Sequence, residues 1–154
     1  MAKNVVVASV DEVPPGSRKI VDVDGRSIGI FNIDGDYFAV RNTCPHAGGP
    51  LCQGVTSGIV TSTEPGSYEY RRRGEFLRCP WHQWEFDIRT GQSWLDPAKT
   101  RVRRYDVKVK HGCELLATDG ATDSGAEMAG MLKGRYVAET YRVVVDQDYI
   151  VLSL

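Results

Sequence analysis

Long apolar runs are missing from this chain. The N-terminal Val5-Val6-Val7 is followed at once by Asp11-Glu12, which is too short for an export signal or a membrane anchor, so a cytoplasmic protein with no membrane partner is expected. Cysteine is sparse as well: four in 154 residues make no disulfide framework. A formal net charge of −1 lacks the basic excess that would point to nucleic acid. Only three histidines are present, so any metal chemistry must be economical with them. The length suits a single domain over residues 1–154, with 42% hydrophobic residues to build a core and no room for a large catalytic domain beside it.

What the chain does have is a pair of short segments, Cys44-Pro45-His46 and Cys79-Pro80-Trp81-His82, each offering one thiolate and one imidazole. Two cysteines on one iron and two histidines on the other is the mixed ligand set of a Rieske centre, so each of two loops must deliver a matched Cys and His. Replacing two thiolates by neutral imidazoles makes such a cluster easier to reduce than an all-cysteine one. Zinc is the alternative, because two Cys and two His also make a tetrahedral structural site. The spacing argues against it, since zinc fingers usually place like ligands together. Pro45 and Pro80 directly follow the thiolates, where a fixed φ suits a tight loop, and Gly48-Gly49-Pro50 continues the first loop.

Beyond these residues, Arg41 to Leu51 and Cys79 to Asp87, followed by Thr90-Gly91, resemble the two cluster loops of the Rieske family. The resemblance extends over most of residues 4–60, 75–108 and 136–154. It implies an all-β, Rieske-type antiparallel β-sandwich with a small cluster-binding subdomain, about residues 42–95, of two loops at its tip. It implies one [2Fe-2S] cluster held by Cys44, His46, Cys79 and His82, whose two histidines form the surface for electron exchange. Relatives in cytochrome bc complexes carry a disulfide between these loops; Gly49 and Trp81 stand at the corresponding places, so that bridge is excluded. With no disulfide and no serine shortly after His82, the expected potential lies near the low end of the Rieske range, about −150 mV.

Oxygenases of the family also hold a mononuclear iron through two histidines and a carboxylate, and His111 alone cannot supply them. The reading is therefore a Rieske-type ferredoxin that carries single electrons from a flavin-dependent reductase to a terminal oxygenase or related oxidoreductase, with no substrate-transforming site of its own. A small cluster-bearing subunit of a larger oxidoreductase, nitrite-reductase-like or part of an oxygenase assembly, is the alternative.

Strands are expected over Ile20–Val23, Ser27–Asn32 and Tyr37–Arg41, separated by the turn dipeptides Asp24-Gly25 and Asp34-Gly35. Others are expected between Glu75 and Cys79, over Gln83–Ile88 with Trp84 and Phe86 inward and Glu85 and Asp87 outward, over Arg101–Lys108, and over Tyr136–Val145 and Tyr149–Leu154. An inserted arm is placed at about residues 61–74, with a turn at Glu64-Pro65-Gly66 and the run Arg71-Arg72-Arg73 read as solvated strand before a docking patch. A second insertion, about residues 117–133, reads as loop with a possible helical turn over Ala126–Leu132. Cys52 and Cys113 are expected to be reduced and partly buried, His111 a solvated turn residue, and Trp94 a packing residue.

Overall fold

The computed structural model describes residues 3–94, 98–118 and 147–154. Among the described residues nine strands and one short α-helix follow in chain order: β1 (Asn4–Ser9), β2 (Arg18–Val23), β3 (Arg26–Ile33), β4 (Asp36–Arg41), β5 (Val55–Glu64), β6 (Ser67–Arg78), β7 (Glu85–Asp87), β8 (Arg104–His111), α1 (Gly112–Thr118) and β9 (Asp148–Ser153). They form a six-stranded sheet in the order β1-β9-β8-β4-β3-β2 and a three-stranded sheet in the order β5-β6-β7, antiparallel throughout.

Local chemistry sets the β2-β3-β4 meander. Asp24-Gly25 and Asp34-Gly35 all have positive φ, between 51° and 96°. That is the type I′ geometry whose twist matches the flanking strands, and it pairs Val23 with Arg26 and Ile33 with Asp36. Buried Asn32 braces the second turn: its side chain donates to the Val13 carbonyl at 2.8 Å and accepts from the Gly35 N–H at 2.8 Å.

Strand β3 is buried on both faces. Ile28 and Ile30 join Val23, Ala39, Tyr105, Ile150 and Leu152 in one core, while Phe31 and Ile33 join Val40, Leu51, Leu77, Phe86 and Ile88 in the other. The side-chain alternation of a strand thus serves two cores from one segment. The second core also contains Cys44, Cys52 and Cys79, so the base sheet and the small sheet meet directly beneath the two cysteine loops.

The expected arm is present and longer than residues 61–74, comprising the far parts of β5 and β6 around Pro65-Gly66, where Gly66 has φ 86°. Its arginines do not lie on a regular strand. Pairing steps from Ser57↔Phe76 to Ile59↔Arg71, so β6 bulges over Arg72, Arg73 and Gly74, with positive φ at Arg72 and Gly74. Each arginine therefore meets a different partner: Arg71 pairs with Glu69, Arg72 turns inward to Glu75 and to Asp87 at 2.8 Å, and Arg73 lies over the Tyr70 ring. Asp87, expected to face outward, is buried because Arg72 reaches it across the bulge.

Other expectations change too. Cys113 is exposed rather than partly buried, because Gly112 starts helix α1 and turns the chain away from the sheet. His111 ends β8 and its Nδ1 accepts from the Cys113 N–H. Trp94 is 56% exposed, its ring tilted at 53° to that of Phe76 with centroids 6.3 Å apart. β1, which the sequence pattern left unassigned, pairs with β9 and completes the base sheet. The strand expected over Tyr136–Val145 lies outside the described residues, and so does the expected insertion of about residues 117–133, its helical turn over Ala126–Leu132 included, apart from residues 117 and 118, which end α1.

Candidate metal centre

Two loops of one design carry the expected donors. The first leaves β4 and the second joins β6 to β7. In the first, the Cys44 N–H donates to the Gly49 carbonyl and the Gly48 N–H to the Cys44 carbonyl, both at 2.8 Å. In the second, the Cys79 N–H donates to the Trp84 carbonyl at 2.8 Å and the Gln83 N–H to the Cys79 carbonyl at 2.9 Å. Donor and acceptor offsets from the cysteine are identical. The fourth residue after each cysteine is left-handed, Gly48 at φ 81° and Gln83 at φ 61°. Each proline stands where its missing N–H costs the loop no bond.

Asn42 secures the first loop at both ends. Its Oδ1 accepts the Cys52 N–H at 2.8 Å and its Nδ2 donates to Ser27 Oγ at 3.2 Å. Sequence reading passed over it, although an asparagine ahead of a Pro/Gly loop signals this kind of side-chain brace. Behind the second loop, Arg78 pairs with Glu85 across β6 and β7.

The loops bring all four expected residues together and divide them by type. Cys44 and Cys79 are buried, whereas His46 and His82 are exposed at the tip. The imidazoles meet edge to face, with ring centroids 4.7 Å apart and planes at 86°. The Trp84 indole stacks on the other side of His46, at 4.2 Å and 12°. Trp81, 57% exposed, lies over Gly49: a Cβ on that glycine would stand 2.9 Å from the indole and 3.1 Å from Cys79 Sγ. Only a glycine leaves room for the cysteine and the indole there.

Burial pushes the Cys44 thiol above its ordinary value; the His46 N–H aimed at the sulfur pulls the other way, and the adjacent Cys79 sulfur pushes it up further. Two thiolates side by side in such a place require a cation between them. Among the described residues, no three His, Cys, Asp or Glu side chains converge as ligands of one metal ion would. The donors come as a sulfur pair and a nitrogen pair, which is the arrangement a two-iron cluster needs and a tetrahedral zinc does not. The residues present fit a [2Fe-2S] cluster with mixed ligands.

Cys52, in contrast, is packed away. Burial raises its thiol to about 12, and it sits against Gly29, where an added Cβ would approach its own Cβ to 2.7 Å.

Comparison with known proteins agrees with this geometry. The family pattern of the Rieske [2Fe-2S] domain matches residues 3–106. The biphenyl dioxygenase ferredoxin subunit of Pseudomonas sp. (strain KKS102) is 30% identical over 102 residues, covering 66% of this chain and 80% of the relative. The ferredoxin of carbazole 1,9a-dioxygenase from Nocardioides aromaticivorans IC177 matches in structure with a TM-score of 0.54 and 31% identity, over 70% of this chain and 90% of that one. A putative NADH-dependent nitrite reductase small subunit from Mycobacterium tuberculosis shares the fold, with a TM-score of 0.54 at 21% identity, over 71% and 88% of the two chains.

Proposed function

This chain belongs to the Rieske [2Fe-2S] domain family, with one [2Fe-2S] cluster as its cofactor, and from that premise we propose that Cys44, His46, Cys79 and His82 hold the cluster and that the protein carries single electrons to a terminal oxygenase. The observation that carries the reading is the division of donors between two matched loops, sulfurs inside and imidazoles outside.

When bound, the cluster supplies reversible one-electron storage. The chain's own residues do the rest. Burial of Cys44 and Cys79 in the second core keeps water from the sulfur side, and the His46 N–H favours the thiolate at Cys44. His46 and His82 are exposed, so a partner can approach them within electron-transfer distance. From Asn42 to Gly54 the chain carries no Asp, Glu, Lys or Arg, and neither does Cys79 to Trp84, so the two loops themselves bring no charged side chain of these types to a partner contact.

The relatives are ferredoxin components of biphenyl and carbazole dioxygenases, which supports a terminal oxygenase as acceptor. The donor we assign is a flavin-dependent reductase, because a nicotinamide gives up two electrons as hydride and a one-electron carrier needs a flavin to divide them. The cytoplasm, where nicotinamide is available, is the proposed location. Among the described residues no helix is long and apolar enough to cross a membrane.

The test is iron and acid-labile sulfide content of anaerobically purified protein, with the EPR spectrum after dithionite reduction. Two irons, two sulfides and the low average g value of a histidine-ligated cluster support the assignment. Stoichiometric zinc without a signal would sink it.

A further inference from the structure

Trp84 is an aromatic of the site to which ligation gives no task. Its carbonyl closes the second loop on the Cys79 N–H, and its indole crosses to the first loop and stacks on His46 at 4.2 Å. The loops share one backbone hydrogen-bond pattern, yet the place equivalent to Trp84, five residues after the cysteine, is Gly49 in the first loop. The first loop therefore has no indole at that place to stack on His82; what it offers His82 is the edge contact with the His46 ring. The last torsion of a histidine is broad, so the plane of its imidazole is set by what packs on it and not by rotamer preference. For His46 that neighbour is the half-buried Trp84, anchored against the second core.

We propose that Trp84 is a positioning residue for His46, holding the plane of that imidazole and excluding water from one of its faces. It makes the two histidines unequal, with His46 between the Trp84 indole and His82, and His82 in edge contact with His46 without a stacked indole. An indole that keeps water from the histidine side disfavours the reduced state, which carries one more negative charge than the oxidised state. The inference rests on the ligation proposed above.

The experiment compares wild type, Trp84→Phe and Trp84→Leu by redox titration and by pulsed EPR of the histidine-nitrogen couplings. Phe keeps a ring and Leu keeps apolar bulk without one. Trp84→Phe is expected to resemble wild type, whereas Trp84→Leu shifts the potential upward and alters the coupling of one histidine more than the other. Equal behaviour of the two variants, whether both unchanged or both shifted alike, overturns the proposal. So do equal histidine couplings in wild type, which needs no variant. Iron and sulfide in wild type keep the two readings apart: their absence defeats the ligation, whereas a full cluster with indifferent variants defeats only the role of Trp84.

Discussion

Cys44 and Cys79 stand at equivalent points of two loops that share one hydrogen-bond pattern, each carbonyl accepting from the fourth residue on and each N–H donating to the fifth. Within that shared pattern the residues differ, and one difference bears on stability. The left-handed position is glycine in the first loop and glutamine in the second.

That difference sets opposite outcomes for two substitutions. Nothing stands within 4 Å of a Cβ at Gly48, so Gly48→Ala suffers only the left-handed backbone, a cost of about 1 kcal/mol. Gln83→Gly removes a strain of that kind and gains slightly less, roughly 0.5 kcal/mol, because glycine also loosens the unfolded chain. The midpoint of thermal bleaching of the cluster's visible absorption should fall in the first variant and rise in the second.

Neighbouring arginines should differ sharply. Arg72 is the bulge residue that satisfies nearly buried Asp87 and shares Glu75 with Arg89. Arg72→Ala leaves that carboxylate short of a partner and should cost about 2 kcal/mol, discounted from a fully buried pair because Arg72 is itself a third exposed. Arg71 and Glu69 are both solvated, so Arg71→Ala should change stability by less than about 0.5 kcal/mol. Chemical denaturation of the two variants side by side decides it.

The same network gives an acid limb. Burial disfavours the charged form of Glu75, but hydrogen bonds from Arg72 and Arg89 outweigh it and hold the carboxyl below its ordinary 4.5. A group with a depressed folded-state pKa contributes stability above its unfolded value, and loses it as pH falls through the folded one. The thermal midpoint of wild type should therefore drop below about pH 4.5. The Glu75→Gln variant starts lower and drops less; parallel curves would contradict this.

Thiol chemistry separates the two cysteines outside the proposed ligand set. Cys113 is exposed, while Cys52 is buried with its thiol at about 12. Iodoacetamide on native holoprotein should modify Cys113 and spare Cys52, as read by peptide mass spectrometry.

The meander was legible because Asp24-Gly25 and Asp34-Gly35 are local signals, and the two cysteine–histidine loops that the fold brings together because their spacing is local too. What escaped depends on register. Glu85-Phe86-Asp87 alternates on paper, yet Asp87 is buried because a bulge fifteen residues earlier sends Arg72 to it, and no local pattern encodes that. Trp84 reads as an inward strand residue; its stacking on His46 exists only once two loops far apart in sequence meet. Helix α1 has seven residues and too few periodic positions to announce itself.

Strand β3 faces two cores, so a slip of one residue would exchange Ile30 with Phe31 and empty each core into the other. The Asp-Gly turns at its two ends are consequently where this chain should tolerate an inserted residue least. The opposite holds at Pro65-Gly66, since residues 60–71 of the arm are exposed. A tag, a dye or a fused reductase domain belongs at that tip, where added length changes no register that the two cysteine loops depend on.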